Sequence, residues 1–157
     1  MLALQPVEDV IEDHTGNART ALEYSRIMKR LVDAAKEPGF SSASWAPLAE
    51  LVAVDEFERM GNFKDLMRWD DYVGFLTGWA TTSDWECSFK RITEQGNLVF
   101  LELEERLQMG DLTSAVNSLS VYEFDDAGKI RHLDIYLQMA LPEGLLPESY
   151  EGVQISD

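Results

Sequence analysis

One acidic residue interrupts an apolar face of a predicted strand, and it is the strongest candidate for chemistry in this sequence. The run 98–109 alternates as a strand does, and one of its faces carries Leu101, Leu103, Glu105 and Leu107. Burial among leucines would favour the protonated form of the Glu105 carboxyl, which prepares such a group for giving and taking a proton. A bulge or an early strand end would instead return Glu105 to water, and the sequence leaves both alternatives open.

Arg59 is the second candidate, because it lies on a predicted short strand, residues 54–60, and shares a face with Asp55 and Phe57. If that face is also concave, the guanidinium can pair with Glu105. A buried arginine–glutamate pair either serves the structure alone, which is the commoner role, or holds an anionic or enolate-like oxygen of a substrate. Such a pair would keep Glu105 ionised, and this effect opposes the effect of burial on the same carboxyl.

Tyr24 is the third candidate, because it lies on the apolar stripe of a predicted helix, where a buried phenol needs a hydrogen-bond partner and can act as a donor. Small hydroxyl groups among large apolar side chains leave room for a small hydrophobic ligand. The residues expected to contact that ligand are Phe57, Trp69, Leu103, Ser118, Ser120, Tyr122, Leu133, Ile135 and Leu137. Core packing is the alternative explanation for the aromatic residues Trp69, Trp79 and Trp85.

Four consecutive runs with strand character must position these residues, at 85–93, 98–109, 115–124 and 129–139. Short turns that contain glycine join them, which predicts antiparallel hairpins. The last run alternates most clearly, with Leu133, Ile135, Leu137 and Met139 on one face and His132, Asp134, Tyr136 and Gln138 on the other. Other elements must cover the apolar face. We expect the polar face on the outer surface of the sheet, against a second subunit.

Helical patterns come earlier in the chain, at residues 17–37, 45–52 and 64–80. Helices grouped early and strands grouped late predict an α+β fold, in which helices pack on the concave face of a cone-shaped, curved antiparallel sheet. A pocket is expected where the helices and the sheet diverge. The predicted single domain occupies 17–140. Residues 1–16 form either a loose N-terminal arm or an extra helical turn packed on the body, and 141–157 form an irregular C-terminal tail.

The composition argues against several classes of function. The 157 residues carry a formal net charge of −16, which disfavours nucleic acid and anionic membrane as partners because both attract basic surfaces. One cysteine and two distant histidines predict neither a disulfide nor a metal site. The sequence has no membrane-length apolar run, no basic signal-peptide region and no glycine-rich nucleotide motif, so a cytoplasmic protein without a cofactor is expected.

The order of elements and the closing segment YEFDDAGKIRHLDIYLQM resemble the nuclear transport factor 2-like (NTF2-like) superfamily over about residues 17–139. That superfamily includes ketosteroid isomerase, limonene-epoxide hydrolase, scytalone dehydratase and the SnoaL-like polyketide cyclases. The resemblance implies a cystatin-like α+β barrel, a pocket on its concave face and a homodimer formed through the outer sheet faces. It implies no single activity, because this fold carries unrelated reactions.

Compared residue by residue, the chain reproduces neither the isomerase nor the epoxide hydrolase active site of that superfamily. The carboxylate base of the isomerases corresponds to Arg59, which stays protonated and is therefore no base. Their protonated aspartate, which donates to an oxyanion, corresponds to Ser120, and their first-helix tyrosine corresponds to Tyr24. The epoxide hydrolases of this fold place an Asp-Arg-Asp set around a water. The corresponding residues here are Glu105 for the central acid, Leu103 for the arginine and Ile135 for the other aspartate.

Two functions remain open from the sequence. The first is a small cofactor-free isomerase, dehydratase, cyclase or hydrolase in which Glu105 moves a proton, while Arg59 and Tyr24, with Ser120, hold a developing oxyanion. The second is a non-catalytic ligand-binding or protein-interaction domain on the same scaffold. The isolated Glu105 favours the first function, and the missing carboxylates of the superfamily favour the second.

Overall fold

A seven-stranded sheet organises the molecule, and the computed structural model describes residues 4–141 and 144–156. The strands are β1 (Gln5–Pro6), β2 (Glu58–Met60), β3 (Leu66–Arg68), β4 (Asp84–Gln95), β5 (Leu98–Met109), β6 (Leu112–Phe124) and β7 (Ile130–Gln138). Their order across the sheet is β1-β4-β5-β6-β7-β2-β3, and every neighbouring pair is antiparallel except β2 and β7. The four predicted consecutive antiparallel strands are confirmed and form the centre of the sheet.

Helices pack against the concave face of this sheet. They are α1 (Glu8–Ile11), α2 (Gly16–Ala34), α3 (Ala46–Ala49), which follows a 3-10 turn at Ser42–Trp45, and α4 (Trp69–Thr82). Apolar residues of α2 recur at spacings of three and four, so that Leu22, Met28 and Val32 are buried along one stripe. α4 carries Asp70 and Asp71 in its first turn, where negative charge is favourable because of the helix dipole.

The segment between α3 and α4 differs from the prediction. The predicted strand 54–60 is reduced to Glu58–Met60, and the predicted helix 64–80 begins only at Trp69, because Leu66–Arg68 pairs with β2 as a hairpin. The turn of this hairpin holds Lys64 at a φ of 62°. A strand of three residues is too short to show a period of two, so its pattern is indistinguishable from the first turn of a helix.

A bulge in β4 helps to curve the sheet. β4 pairs with β5 residue by residue as far as Phe89 opposite Leu103, and the register then shifts so that Arg91 lies opposite Glu102. An extra residue on one strand bends the pair and increases its twist. β5 itself pairs with β6 without interruption from Leu98 to Met109, so its side chains alternate between the two faces over the whole strand.

The N-terminal segment is packed on the body rather than extended as a loose arm. β1 pairs with β4 at one edge of the sheet, and Val7, Val10 and Ile11 belong to the hydrophobic core. Residues 144–156 are irregular apart from a 3-10 turn at Glu148–Tyr150. Residues 1–3 of the predicted arm and residues 142, 143 and 157 of the predicted tail lie outside the described residues.

Apolar packing fills one end of the cone. Five large side chains there are at most 1% exposed: Trp45, Phe57, Leu101, Phe124 and Ile130. Burial of a large apolar side chain stabilises the fold by roughly 1.5–3 kcal/mol relative to leaving it in water. This end contains the first half of β5, the last residues of β6 and the first residue of β7. The opposite end of these strands is therefore the part that can hold a cavity.

Candidate functional site

A cavity of about 250 Å³ lies between α2, α4 and the concave face of the sheet. The helices contribute Tyr24, Ser25, Met28, Tyr72, Phe75, Leu76 and Trp79. The strands contribute Arg59, Trp85, Leu103, Glu105, Ser120, Tyr122, Leu133, Ile135 and Leu137. Most of this wall is apolar. Its ionisable groups are the carboxylate of Glu105, the guanidinium of Arg59 and the phenols of Tyr24, Tyr72 and Tyr122.

A small side chain in the sheet keeps the cavity open. Ser120 of β6 lies between Leu101 of β5 and Ile135 of β7 in the sheet register, and all three share the concave face. Protein interiors are close-packed, so a side chain as short as serine at such a position leaves unfilled volume that a leucine would occupy. The serine at position 120 of β6 therefore leaves free space over the middle of the sheet.

Glu105 lies on the cavity wall because β5 keeps its alternation without a bulge. The bulge considered as an alternative is on the neighbouring strand β4, where it does not turn Glu105 outwards. Oε1 of Glu105 accepts a hydrogen bond from Nε1–H of Trp85 at 2.8 Å. This bond orients the carboxyl group and leaves its second oxygen, Oε2, for another partner.

Arg59 reaches the same cavity from β2, where it lies beside Leu133 of β7 in a parallel register. Its side chain is 16% exposed, and the guanidinium lies over the ring of Tyr72 at 5.0 Å from the ring centre. The predicted ion pair with Glu105 is not formed, because Nη1 of Arg59 faces Oδ2 of Asp65 at 3.7 Å. Nε of Arg59 is buried without a hydrogen-bond partner, which leaves one donor for a ligand.

Three tyrosines supply the other polar groups of the cavity. Oη–H of Tyr24 donates to Oη of Tyr72 at 3.0 Å, and the rings of Tyr24 and Tyr122 meet edge to face at 5.6 Å between centres. Burial raises the pKa of all three phenols above the usual 10, and the positive charge of Arg59 offsets part of this rise at Tyr72 and Tyr24. Because Tyr72 accepts from Tyr24, its own O–H can donate to a ligand oxygen.

Two aromatic residues predicted to contact a ligand stand behind the wall instead. The ring of Phe57 packs 5.4 Å from Trp69 and 5.9 Å from Tyr72, measured between ring centres. Tyr72 lines the cavity and so separates both Phe57 and Trp69 from it. Aromatic residues that line a cavity and aromatic residues one layer behind it recur at the same positions of a helix or strand. The sequence pattern therefore does not distinguish lining residues from residues behind them.

Ser118, another of the predicted ligand contacts, does not line this cavity. It is 4% exposed and lies between Leu103 and Leu137 in the register, yet only these two longer neighbours reach the cavity. Its hydroxyl is buried without a hydrogen-bond partner among the described residues. The structure brings the remaining predicted residues together on the wall: Tyr24, Arg59, Glu105, Leu103, Ser120, Tyr122, Leu133, Ile135 and Leu137.

Tyr72 is the main wall residue that the sequence pattern missed. Tyr72 lies in the predicted helix 64–80, three residues after Trp69 and four before Leu76, but it is not among the predicted ligand contacts. That spacing places all three on one face of a helix, so the signal was present in the sequence. Trp79 and Trp85, for which wall and core were both open, lie on the wall.

Cys87 is the neighbour of Glu105 in the sheet, but it is a poor nucleophile. Burial in the first place, and then the negative charge of Glu105, raise the pKa of its thiol from 9 to about 12. Thiols react as thiolates, and a thiol with this pKa stays protonated at neutral pH.

Among residues 4–141 and 144–156, no group of three or more His, Cys, Asp and Glu side chains could hold a metal ion. None of the helices described there is both long and apolar enough to cross a membrane.

Solved structures of other proteins share this architecture at low sequence identity. An NTF2-like protein of unknown function from Burkholderia pseudomallei superposes with a TM-score of 0.63 at 10% identity, over 80% of this chain and 92% of that chain. A pinacolase from Penicillium brevicompactum gives 0.61 at 8% identity, over 78% and 85%. An LEH-like epoxide hydrolase from M. tuberculosis gives 0.55 at 19% identity, over 74% and 83%. No protein-family model and no curated protein matches the chain.

The protein therefore has an α+β fold of the NTF2-like type, and the predicted resemblance is confirmed at the level of the fold. The similar structures bear the names of unrelated enzymes or of proteins of unknown function. Because this fold hosts unrelated reactions, the similarity specifies neither an activity nor a ligand.

Proposed function

We propose that this protein is a cofactor-independent enzyme that moves a proton on a small apolar carbonyl compound. The observation that carries the proposal is the meeting of Glu105, Arg59 and Tyr72 at one cavity whose other walls are mostly apolar. A carboxylate can take a proton, whereas a guanidinium and a phenol can donate hydrogen bonds to an oxygen that becomes negative. These are the two requirements for converting a carbonyl compound into its enolate.

In the proposed reaction, the carbonyl oxygen accepts hydrogen bonds from Oη–H of Tyr72 and from the unpaired Nε–H of Arg59. Oε2 of Glu105 removes a proton from the carbon next to the carbonyl, and the electron pair of the broken C–H bond moves into the enolate. In a carbonyl compound with a β,γ double bond, the enolate is a dienolate. The protonated carboxyl of Glu105 then returns the proton to the γ carbon, so that the conjugated isomer leaves and the carboxylate is regenerated. The apolar walls exclude water, which strengthens the hydrogen bonds to the enolate oxygen.

The electrostatics of the cavity support this division of roles. After the effect of burial, the negative charge of Glu105 also contributes to the raised pKa of Tyr72 and of Tyr122. The carboxylate and the phenols are thus close enough to interact, and the phenols stay neutral donors at physiological pH. Tyr24 acts through Tyr72, because its hydrogen bond fixes the position of the Tyr72 oxygen.

Deuterium exchange into acetophenone tests the proposal, because it detects proton removal without knowledge of the natural substrate. In D2O, the wild-type protein should exchange the methyl hydrogens of acetophenone faster than buffer alone, as followed by proton NMR. Glu105→Gln should lower the protein-dependent rate by about 10²–10⁴-fold, since an amide does not accept the proton.

Glu102→Gln is the matched control for this experiment. Glu102 lies three residues before Glu105 on β5, on the opposite face, where its carboxylate pairs with Arg91 at 2.6 Å. This control should keep the wild-type exchange rate. Equal rates for the wild type and Glu105→Gln would contradict the proposed role of Glu105. Binding of acetophenone without any exchange would make a non-catalytic ligand-binding domain the better account.

We also propose that the protein forms a homodimer in which the outer faces of two sheets meet. Tyr136 on the outer face of β7 is 57% exposed. Beside it, Nε2 of His132 lies 2.9 Å from Oδ1 of Asp134, and Nδ2–H of Asn117 donates to Oε1 of Gln138 at 2.9 Å. Polar groups that are already hydrogen-bonded to each other cost less free energy to bury in an interface, because they do not give up hydrogen bonds to water without replacement. The cytoplasmic location expected from the sequence stays a prediction.

A further inference from the structure

A second concave region adjoins the cavity at the end of the sheet where β5 ends, β6 begins and β7 ends. This outer groove has a volume of about 760 Å³. It shares four wall residues with the inner cavity, Trp79, Trp85, Glu105 and Leu137. The two spaces therefore adjoin at these residues, which are two indole rings, a leucine and the proposed catalytic carboxylate; we call this shared boundary the neck.

The walls of the outer groove are mostly apolar, although the Glu105 carboxylate lies at its neck. The rings of Trp79 and Trp85 meet edge to face at 6.2 Å between centres, and the polar Nε1–H of Trp85 is already used by Glu105. What Trp85 offers a ligand is therefore ring surface alone. Val116 and Met139 extend this surface away from the neck, and Met139 is 49% exposed although it is large and apolar.

We infer that the outer groove is a second subsite, which binds the apolar body of the molecule whose carbonyl enters the inner cavity. This inference rests on the proposed function and adds the shape of the substrate to it. Ligand pockets for drug-sized molecules measure roughly 300–1,000 Å³, and the inner cavity with about 250 Å³ falls below that range. A molecule larger than the inner cavity that places its carbonyl near Tyr72 can extend past the neck into the groove.

The charges around the neck restrict the substrate further. Glu105 lies at the neck itself, and the chain as a whole carries a net charge of −16. Arg106 also borders the groove, but its guanidinium is engaged by Glu104 at 2.8 Å and by Ser88 at 3.0 Å. An anionic group at the neck would lie beside the Glu105 carboxylate, because the guanidinium of Arg59 lines only the inner cavity. The substrate class is therefore an uncharged, elongated molecule with a carbonyl at one end and an apolar body.

Two rigid ketones separate the inner cavity from the groove. Acetophenone carries one ring beside its carbonyl, and 4-acetylbiphenyl carries a second ring in line with the first, so that it has no means of folding back into the cavity. Isothermal titration calorimetry should show that 4-acetylbiphenyl binds about tenfold or more tightly than acetophenone, because the second ring leaves water for the apolar groove.

Variants on the groove wall make the test specific. Val116→Gln and, independently, Met139→Gln should reduce the affinity ratio of the two ketones to about threefold or less. Val54→Gln is the matched control, because it makes the same substitution at an exposed valine that lines neither space. This control should keep the wild-type ratio.

The possible results distinguish failure of the second subsite from failure of the proposed function. Equal affinity for the two ketones, or an unchanged ratio in both groove variants, overturns the second subsite and leaves the proposed function standing. Failure of acetophenone itself to bind overturns the proposed function, and the inference that rests on it falls too. If Val116→Gln keeps the ratio but turns a dimer into a monomer in sedimentation velocity, the groove is an interface between copies and the inference is wrong.

Discussion

At the scale of single residues, the hydrogen-bond partners decide which groups of the cavity are available to a ligand. Oε1 of Glu105 is held by Trp85, and the Tyr72 oxygen is held by Tyr24. Each bond uses one side of its group and leaves the other side open, which is what a proton acceptor and an oxyanion donor require. Arg59 keeps its Nε–H unpaired for the same cavity, while Asp65 faces its Nη1.

The three buried tyrosines should make the protein less stable at alkaline pH. Because burial raises their pKa values in the folded state, the folded protein holds these protons more tightly than the unfolded chain does. The stability they contribute is complete below pH 10 and is lost as the pH rises from 10 towards the folded pKa values. Each such phenol should reduce the free energy of unfolding by roughly 1 kcal/mol for each pH unit above 10.

Tyr24→Phe should therefore change the stability of the protein at pH 8 but not at pH 11. At pH 8 the variant should be less stable by about 1 kcal/mol, because Tyr72 loses its hydrogen-bond donor. By about pH 11 the difference should vanish, because one titrating phenol has been removed. Urea unfolding at both pH values measures this. Tyr150→Phe serves as the control because that phenol is exposed in the C-terminal segment. An equal stability difference between the wild type and Tyr24→Phe at both pH values would contradict this pH dependence.

At the scale of elements, the β2–β3 hairpin is what delivers Arg59 to the cavity. Its two strands have three residues each, and β2 is fixed to the body by parallel pairing with β7. The turn is closed by Asp65, whose backbone carbonyl accepts from the N–H of Gly61 at 2.8 Å and whose carboxylate accepts from the N–H of Phe63 at 3.2 Å. The same carboxylate faces Arg59, so the turn and the position of the guanidinium are coupled.

Two glycine-to-alanine substitutions should change stability in opposite directions. A Cβ on the buried Gly61 would meet the Asp65 carboxylate, so Gly61→Ala should destabilise the protein by about 1–3 kcal/mol. A Cβ on Gly74 would meet nothing within 4 Å, and Gly74 lies in α4, so Gly74→Ala should stabilise by about 0.5–1 kcal/mol. Urea unfolding measures both. A loss of stability in Gly74→Ala would show that α4 packs differently from the structure described.

At the scale of the whole molecule, the outer sheet face and the net charge act against each other. Tyr136 offers an exposed aromatic group near the middle of a large sheet surface, which favours pairing with a second copy. Each copy carries a net charge of −16, so two copies repel each other at low ionic strength. Added salt screens this repulsion. The proposed dimer should accordingly become tighter as the salt concentration rises from low to physiological values.

Tyr136→Glu tests the proposed dimer interface. The added negative charge at the centre of the interface should shift the protein to monomers in sedimentation velocity, because a buried carboxylate without a partner is costly. Phe63→Glu is the control, since Phe63 is the most exposed of the large apolar residues that the structure describes and lies on the hairpin turn. A wild-type monomer at all concentrations, or an unchanged dimer in Tyr136→Glu, would contradict this interface.

The central strands and their inner faces were predictable from the sequence, because strand alternation is a local property. Leu133, Ile135 and Leu137 recur with a period of two, and the backbone geometry of a strand turns that period into one shared face. Glu105 reached the cavity for the same reason, once β5 ran without a bulge. The NTF2-like fold followed from the order of these elements and from the closing hairpin.

The tertiary structure alone decided which polar groups meet. Arg59 faces Asp65 rather than Glu105, because a hairpin of three-residue strands, too short to show a pattern, brings Asp65 back beside β2. Tyr72 rather than Phe57 or Trp69 lines the cavity, because the packing of α4 against the sheet determines which layer each ring occupies. Periodicity records the face on which a side chain lies. How deeply that side chain is buried, and which groups it contacts, depend on distant segments of the chain, so no local pattern predicts them.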